Sequence, residues 1–251
     1  MNIKQQNRLR WLLFCTLTGF VFVVYVLLSL ANGRGVLLMP LDDVYIHFQY
    51  AKQFALGQPY IYNPGDPATS GATSLLYPIL LATGYRLGFQ GLLLGLWAMI
   101  IGAGAHLASQ WVIYRICKNL DLSELVSVAT AVLFAITGAF AWHFMSGMET
   151  GLVIALTLLT WLMVIEKRLF AFVLIATLLG LMRPEASIMA AIAAFIMMLR
   201  LWRTTSKLHL IVLCVPVLVI FVQPLVNYVF TGSTTAAGSL AKSILYTIPQ
   251  D

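Results

Sequence analysis

The stretch WLLFCTLTGFVFVVYVLLSLA, residues 11–31, decides the fold class of this chain. It carries no charged side chain, and about 20 apolar residues are enough to cross the hydrocarbon core of a bilayer as a helix. Lys4, Arg8 and Arg10 precede it, and basic residues mark the cytoplasmic side of a membrane helix. Because the stretch is longer than the roughly 7–15 residues of a signal-peptide core, it predicts a retained anchor with a cytoplasmic N-terminus.

The composition of the whole chain leads to the same class. Apolar residues make up 61% of the 251 residues, and only 10% of the residues are charged. Soluble domains carry about a quarter charged residues and disordered chains few apolar ones, so both classes are excluded. The net charge of +6 comes from small basic groups scattered between apolar runs, which is typical of topology signals rather than of a nucleic-acid surface. Cys15, Cys117 and Cys214 show no disulfide or zinc spacing.

Further apolar runs predict an all-α integral membrane protein with about seven transmembrane helices. The run at residues 75–89 is short and contains Pro78, Gly84 and Arg86, so we expect it to lie at the outer surface as an interfacial helix. Two of the other runs are shorter than the bilayer core requires. The predicted spans are residues 11–31, 92–113, 125–145, 151–165, 169–182, 186–199 and 210–230.

The distribution of basic residues favours this arrangement, with the N-terminus inside and the C-terminus outside. It puts ten of the 15 Lys and Arg residues inside, whereas a spanning helix at residues 75–89 would leave only six there. The five basic residues then predicted outside are Arg34, Lys52, Arg86, Arg183 and Lys242.

The outer loop at residues 32–91 is the longest segment between predicted spans. Asp42 is expected to cap an amphipathic helix over residues 43–56, and Gly57 is expected to end it. A short helix of this kind would lie along the membrane surface. Residues 58–73 are rich in Pro, Gly, Asn and Ser, which predicts turns.

Two adjacent carboxylates at the start of this helix, Asp42 and Asp43, have two interpretations. In one, both stabilise the helix N-terminus, which is a common use of Asp. In the other, one carboxylate is the general base toward an acceptor hydroxyl, and the second orients it or holds a divalent metal ion such as Mg²⁺ or Mn²⁺. His47 follows Asp43 at i,i+4, on the same helix face, although a solvated interfacial histidine is the commoner interpretation of such a residue.

Five short motifs carry a family resemblance. They read DDVYIHFQYA at residues 42–51, YNPGDP at 62–67, TSLLY at 73–77, SGMET at 146–150 and RPE at 183–185. In type and order they resemble the motifs of polytopic glycosyltransferases of the GT-C type, which use polyprenyl-phosphate sugars. The arabinofuranosyltransferases and protein mannosyltransferases of this type are the most similar in motif.

The chain departs from the pattern of this family at three places. Gln49 stands where an Arg is usual, Asp66 replaces a Glu, and no Gly-Tyr pair precedes Thr73. Members of the family also continue beyond the length of this chain with more spans. A fragment, a truncated product and a short relative are therefore the alternatives that the resemblance leaves.

The resemblance implies a GT-C-like fold and a membrane glycosyltransferase acting at the extracytoplasmic face of the cytoplasmic membrane. The implied reaction moves a sugar from a polyprenyl-phosphate donor to a glycan, lipid or protein acceptor of the cell envelope, and Asp42 or Asp43 acts as the base of an inverting displacement. A divalent metal ion is the only cofactor expected, membrane lipids are expected partners, and nucleic acids are not. Donor phosphate is expected at Arg183, Lys52 and Lys242, since a planar guanidinium suits phosphate oxygens. The expected substrate cavity contains His47, Asn63, Glu149 and Glu185.

A non-catalytic membrane protein is the alternative function. It would be a transporter of lipid-linked sugar, or an inactive or truncated glycosyltransferase relative that serves as a partner subunit. A transporter places ionisable groups near the membrane midplane and shows an internal repeat. Here the acids cluster at one predicted surface and the sequence shows no repeat.

Overall fold

Helices joined by turns and one long loop make up residues 2–235, the part of the chain that the computed structural model describes, and no strand occurs there. The prediction of an all-α protein is confirmed. The helices in chain order are α1 (Ile3–Asn32), α2 (Asp43–Ala55), α3 (Leu76–Arg86), α4 (Leu94–Asn119), α5 (Glu124–Ile136), α6 (Gly138–Met145), α7 (Thr150–Ile165), α8 (Leu169–Met182), α9 (Ala186–Leu201), α10 (Lys207–Leu210), α11 (Cys214–Leu218) and α12 (Val222–Thr231). Single 3₁₀ turns precede α4 (Gly91–Leu93) and join α10 to α11 (Ile211–Leu213) and α11 to α12 (Val219–Phe221).

Three helical segments within residues 2–235 are long and apolar enough to cross a membrane, namely Lys4–Asn32, Gly91–Asn119 and Lys207–Thr231. The pair α5 and α6 adds a fourth if the two helices count as one span. Helices α7, α8 and α9 have 16, 14 and 16 residues. At about 1.5 Å per residue they fall short of the roughly 30 Å hydrocarbon core. By length and composition the fold has three to four candidate spans, where the sequence predicts about seven.

The predicted span at residues 125–145 is a broken helix in the structure. Helices α5 and α6 meet at an angle of 61°, and Thr137 between them has extended backbone. The Thr137 hydroxyl donates a 2.7 Å hydrogen bond to the Leu133 carbonyl, and Gly138 follows. A hydroxyl residue beside glycine is a recognised cause of sharp helix kinks. The predicted span therefore consists of two helices joined at a kink.

Helices α4 and α7 lie at the centre of the bundle. Helix α4 contacts α1, α5, α6 and α7, while α7 also contacts α8 and α9. Glycines permit the closest approaches: a Cβ atom on Gly102 would lie 1.8 Å from the Phe144 carbonyl oxygen, and one on Gly151 would lie 2.8 Å from the Phe144 Cα. Helix α6 is therefore seated directly on α4 and α7, and this packing fixes the start of the loop at residues 146–149.

The connection between α1 and α4 carries α2 and α3, which pack against each other. Asp42 Oδ1 accepts a 2.9 Å hydrogen bond from the Asp43 N–H at the start of α2. Beyond its end, Gly57 has φ +80°, and the N–H groups of Gly57 and Gln58 donate to the Phe54 and Gln53 carbonyls at 3.1 and 2.9 Å. This hydrogen-bond pair is the Schellman motif, which favours glycine. The predicted cap and the predicted end of α2 are both confirmed.

Side chains of α2 also hold the turn-rich loop that follows it. Gln49 Nε2 donates to the Tyr62 carbonyl at 2.6 Å. The Tyr50 hydroxyl donates to the Thr69 carbonyl at 3.1 Å and accepts from the Gly71 N–H at 2.9 Å. The loop is therefore tied to one face of α2, while the opposite face of the helix is left to pack against the bundle.

Candidate functional site

Glu149 is the centre of the candidate site, and the loop before it explains its position. Gly147 has φ +81°, a conformation that favours glycine, and a Cβ atom there would lie 2.8 Å from Met39 Sδ. The Tyr77 hydroxyl donates a 2.5 Å hydrogen bond to the Gly147 carbonyl. The loop therefore turns tightly beneath α2 and α3, and it delivers Glu149 at the N-terminal end of α7 with no solvent exposure.

Three side chains from distant parts of the chain surround the Glu149 carboxyl group. His47 Nε2 of α2 lies 3.4 Å from Glu149 Oε2. Arg183 Nε, just after α8, lies 3.5 Å from Oε1, and Thr73 Oγ1 donates to the same oxygen at 3.5 Å. These contacts are long, and Oε2 forms no aligned hydrogen bond. Because burying a carboxylate without close partners costs stability, this arrangement is typical of a functional site. We call His47, Thr73, Glu149, Arg183 and Glu185 the Glu149 cluster.

Arg183 links the buried part of the cluster to its exposed part. Pro184 disfavours helical backbone at the residue before it, and Arg183 accordingly has φ −146° and ψ 124°, which ends α8. Its Nε lies 3.0 Å from Glu185 Oε1 and 3.5 Å from Glu149. The Arg183 side chain is 31% exposed and that of Glu185 is 63% exposed. The guanidinium therefore lies between a buried and a solvated carboxyl group.

His47 is buried, contrary to the expectation of a solvated interfacial histidine. Its exposed fraction is 3%, and its ring packs edge-on against Tyr77 with centroids 5.4 Å apart. Burial lowers the pKa of His47, and the nearby Glu149 carboxyl group opposes that shift only in part. The imidazole is therefore neutral at pH 7, and its Nδ1 atom has no hydrogen-bond partner. Burial also raises the pKa of the Tyr77 hydroxyl, which keeps it a hydrogen-bond donor.

Asp42 and Asp43 are exposed at the start of α2, one helical turn before His47. Asp42 uses Oδ1 for the cap, and Asp43 is close enough to His47 to raise the pKa of the imidazole. The two carboxylates therefore stand on the solvent side of the Glu149 cluster.

Asp42 and Asp43 are the predicted ligands of a divalent metal ion. Among residues 2–235, no three His, Cys, Asp or Glu side chains come close enough together to hold one ion. His47 is turned inward to Glu149 and does not join the two carboxylates. Mg²⁺ is commonly held by one or two carboxylates together with waters and substrate phosphates, so this pair of carboxylates fits such an ion.

The structure places two of the three predicted phosphate-binding residues, Lys52 and Arg183, in different parts of the molecule. Lys52 is exposed on the loop-facing side of α2 and lines a cavity of about 570 Å³ with Asn63 and Gln49, whereas Arg183 belongs to the Glu149 cluster. Asn63 also donates a 2.9 Å hydrogen bond to Asp66. Lys242 lies outside the described residues.

The predicted substrate-cavity residues are likewise divided. His47 and Glu149 are in contact, Asn63 lines the cavity beside Lys52, and Glu185 lines another of about 330 Å³ together with Thr73 and Gln223. Of these four residues, His47, Glu149 and Glu185 therefore belong to one group, because Arg183 lies between Glu149 and Glu185.

Three residues that shape the site are not among the predicted site residues: Thr73, Tyr77 and Gln223. Gln223 of α12 donates a 3.1 Å hydrogen bond to the Thr73 carbonyl, which holds the Thr73 hydroxyl beside Glu149. Thr73 and Tyr77 stand inside a quoted motif, so the resemblance pointed to their segment without assigning them a role. The sequence contains one signal for Gln223, because it is a polar side chain within an apolar run.

Comparison of the chain with protein-family models, with curated proteins and with solved structures finds no match. The exposed carboxylates of Asp42 and Asp43 can accept a proton, and the partly exposed guanidinium of Arg183 can bind an anion. Together they suit a displacement in which a hydroxyl loses a proton while a leaving group gains negative charge.

Proposed function

We propose that this protein is a membrane glycosyltransferase that transfers a sugar from a polyprenyl-phosphate donor to an acceptor hydroxyl of a cell-envelope glycan, lipid or protein. The observation that supports this most is the convergence of His47, Glu149 and Arg183. Each belongs to a different one of the quoted motifs, and their side chains meet within 3.5 Å contacts. Three of the five motifs therefore meet in the fold, and Thr73 adds a fourth.

The base in the proposed reaction is Asp42 or Asp43. One of these carboxylates takes the proton of the acceptor hydroxyl, and the hydroxyl oxygen forms a bond to the anomeric carbon from the side opposite the phosphate. The bond between that carbon and the phosphate oxygen breaks, its electron pair leaves with the phosphate, and the anomeric configuration inverts. Both carboxylates are exposed, so an acceptor can reach them. A positioned base contributes roughly 10²–10⁴ in rate.

Arg183 is the proposed partner of the departing phosphate. Arg183 contacts Glu149 and Glu185 through its Nε atom, which forms no aligned hydrogen bond. A guanidinium beside two carboxyl groups stays charged, and its planar donors suit the phosphate oxygens whose negative charge develops in the transition state. Lys52 is too far around α2 to share this role, because it lies on the other face of the helix.

The finer membrane arrangement is also part of this proposal: a GT-C-like fold with seven spans, the N-terminus inside and the candidate site at the extracytoplasmic face of the cytoplasmic membrane. Helices α7, α8 and α9 pack side by side and would complete their spans with flanking residues. Glu149 and Glu166 flank opposite ends of α7. Arg10, Arg115 and Arg168 cluster at the Glu166 end, which the positive-inside rule assigns to the cytoplasm.

The test uses the purified chain in lipid nanodiscs with a labelled polyprenyl-phosphate sugar and measures both sugar transfer and donor hydrolysis. Asp42→Asn and Asp43→Asn are the informative variants, because Asn caps a helix about as well as Asp at position 42, and Asp43 is exposed in the first turn of α2. The variant that removes the base should lose roughly 10²–10⁴ in turnover. Asp121→Asn is the matched control, an exposed acid at the other end of the bundle, and should keep full turnover. Full turnover in both Asp42→Asn and Asp43→Asn would refute the assignment.

A second candidate function, a non-catalytic partner subunit, is favoured by one observation. Gln49 stands where the family has an Arg, and its Nε2 is engaged with the Tyr62 carbonyl at 2.6 Å, so the position offers no charge to a ligand. Saturable donor binding by Arg183 with neither transfer nor hydrolysis, in the presence of candidate acceptors, would support this second function over the first.

A further inference from the structure

A cavity of about 350 Å³ lies between α1 and the C-terminal half of α4. It is at the opposite end of α4 from Gly102 and α6, and so is remote from the Glu149 cluster. Its walls combine cations with aromatic rings. The side chains that matter here are Arg10, Trp11, Trp111, Tyr114, Arg115 and Lys118.

The cations around this cavity exceed the carboxylates. Glu124 pairs with Arg10 at 3.1 Å and with Lys118 at 3.9 Å. Glu166 pairs with Arg115 at 2.5 Å and with Arg168 at 3.1 Å. Arg10, Arg115 and Lys118 line the cavity and share these two carboxylates, whereas Arg168 lies outside it, so the cavity keeps a net positive charge that can attract an anion.

Aromatic rings fix the two guanidinium groups that face the cavity. The Arg10 guanidinium carbon lies 4.1 Å above the Tyr114 ring centre, and that of Arg115 lies 5.4 Å from the Trp111 ring centre. Arginine stacked in this way keeps its planar donors oriented, and such donors bind phosphate oxygens in pairs. The cavity is therefore a preorganised site for a phosphate group rather than a diffuse basic surface.

The cavity also borders an apolar helix surface. Trp11 at its rim is 46% exposed, and the adjacent Leu12 is 56% exposed. Only 17% of the apolar stretch of α1 is buried inside the protein. A ligand whose phosphate occupies the cavity would therefore meet a long hydrocarbon-compatible surface, which suits an amphiphile better than a small anion.

We propose that this cavity binds the phosphate headgroup of an anionic membrane lipid whose acyl chains lie along α1. Basic pockets between membrane helices recognise such headgroups through the same combination of cations and apolar walls. The site is independent of the proposed glycosyltransferase activity, because none of its residues belongs to the Glu149 cluster. Inorganic phosphate is an anion like the lipid headgroup, but it has no acyl chains. Comparing its binding with that of the lipid therefore distinguishes a lipid site from a small-anion site.

The test measures binding of phosphatidylglycerol, phosphatidylcholine and inorganic phosphate to the detergent-solubilised protein, by native mass spectrometry and by the rise in the unfolding temperature. Phosphatidylglycerol should bind and raise this temperature, whereas the other two should not at equal concentration. Arg10→Gln should weaken phosphatidylglycerol binding about tenfold, since it removes a charged hydrogen-bond donor. Arg8→Gln is the matched control, because it removes the same charge from the same helix end at an exposed residue outside the cavity.

Two results would overturn the proposal. Equal weakening by Arg8→Gln and Arg10→Gln would mean a general electrostatic attraction, and equal binding of inorganic phosphate would mean a small-anion site. If Arg10→Gln does not fold, Lys118→Gln replaces it, because the Lys118 ion pair is 3.9 Å long and the side chain is 38% exposed. Lys118→Gln should then lower phosphatidylglycerol affinity while Arg8→Gln does not.

Discussion

The glutamates at the two ends of α7 have opposite environments. Glu166, after the helix, forms ion pairs of 2.5 Å with Arg115 and 3.1 Å with Arg168, whose side chains are 38% and 63% exposed. Glu149, before the helix, has no exposed surface, and its nearest cation, Arg183, is 3.5 Å away. The 16 residues of α7 separate the two groups by about 25 Å.

The difference separates an end whose contacts stabilise the fold from an end whose contacts lower stability. Partly exposed pairs with short distances, like those of Glu166, are a common surface arrangement that contributes modestly to stability. A buried carboxyl group with long contacts, beside a histidine whose Nδ1 is unpaired, lowers stability. Proteins commonly keep such destabilising arrangements at functional sites.

The largest expected effect is a loss of sugar transfer that occurs only for a change at the Glu149 end. If the proposed function is correct, Arg183→Gln should lower sugar transfer by about 10²–10³-fold, because it removes the guanidinium proposed to stabilise the departing phosphate. Arg200→Gln is the control at the Glu166 end, where Arg200 donates a 3.1 Å hydrogen bond to the Val164 carbonyl. It should leave transfer unchanged. Steady-state assays with the labelled donor measure both, and equal losses in the two variants would remove the functional distinction between the ends.

The next effect concerns stability and has opposite signs at the two ends. Glu149→Gln should raise the free energy of unfolding by about 1–2 kcal/mol, since it removes a buried charge while Arg183 keeps Glu185 at 3.0 Å. Glu166→Gln should lower it by about 0.5–1 kcal/mol through the loss of two partly exposed ion pairs. Denaturant titration in detergent micelles measures both changes. Destabilisation by Glu149→Gln would show that its long contacts are stabilising after all.

The smallest effect is a pH dependence that originates at the Glu149 end. Burial lowers the pKa of His47 below its usual 6.5, so the unfolded chain binds a proton there before the folded chain does. Stability should therefore fall as the pH drops below about 6.5, by at most about 1.4 kcal/mol per pH unit. His47→Gln should flatten this slope between pH 7 and pH 5. Unfolding temperatures of the two proteins across that range measure it, and identical slopes would mean that His47 does not titrate.

Parts of the fold and of the candidate site were predictable from local sequence. The Asp42 cap and the Gly57 end of α2 depend on backbone chemistry within a few residues, and the structure has both. The position of His47 could have been inferred as well. It stands three residues after Val44 and four before Ala51, on the buried face of α2, and this spacing predicts its burial, which the residue type alone does not.

Other features depended on contacts that no local pattern contains. The break at Thr137 turns a run that is apolar throughout into two helices at 61°, and hydropathy does not register a kink. Lys52 and Arg183 share a charge and a predicted side of the membrane, yet they line different parts of the molecule. The charge of a residue and its predicted side of the membrane restrict it to one surface. Neither property determines which residues it contacts there.

Sequence by itself determined that this is an all-helical chain with membrane-crossing potential, because the balance of apolar and charged residues sets the solvent in which each segment is stable. Tertiary structure alone decided that Glu149 is buried between His47 and Arg183, and that a second set of cations surrounds a cavity on α4. The physical reason is that helix propensity and hydropathy are properties of short segments, whereas a site depends on the packing distances between segments far apart in the chain.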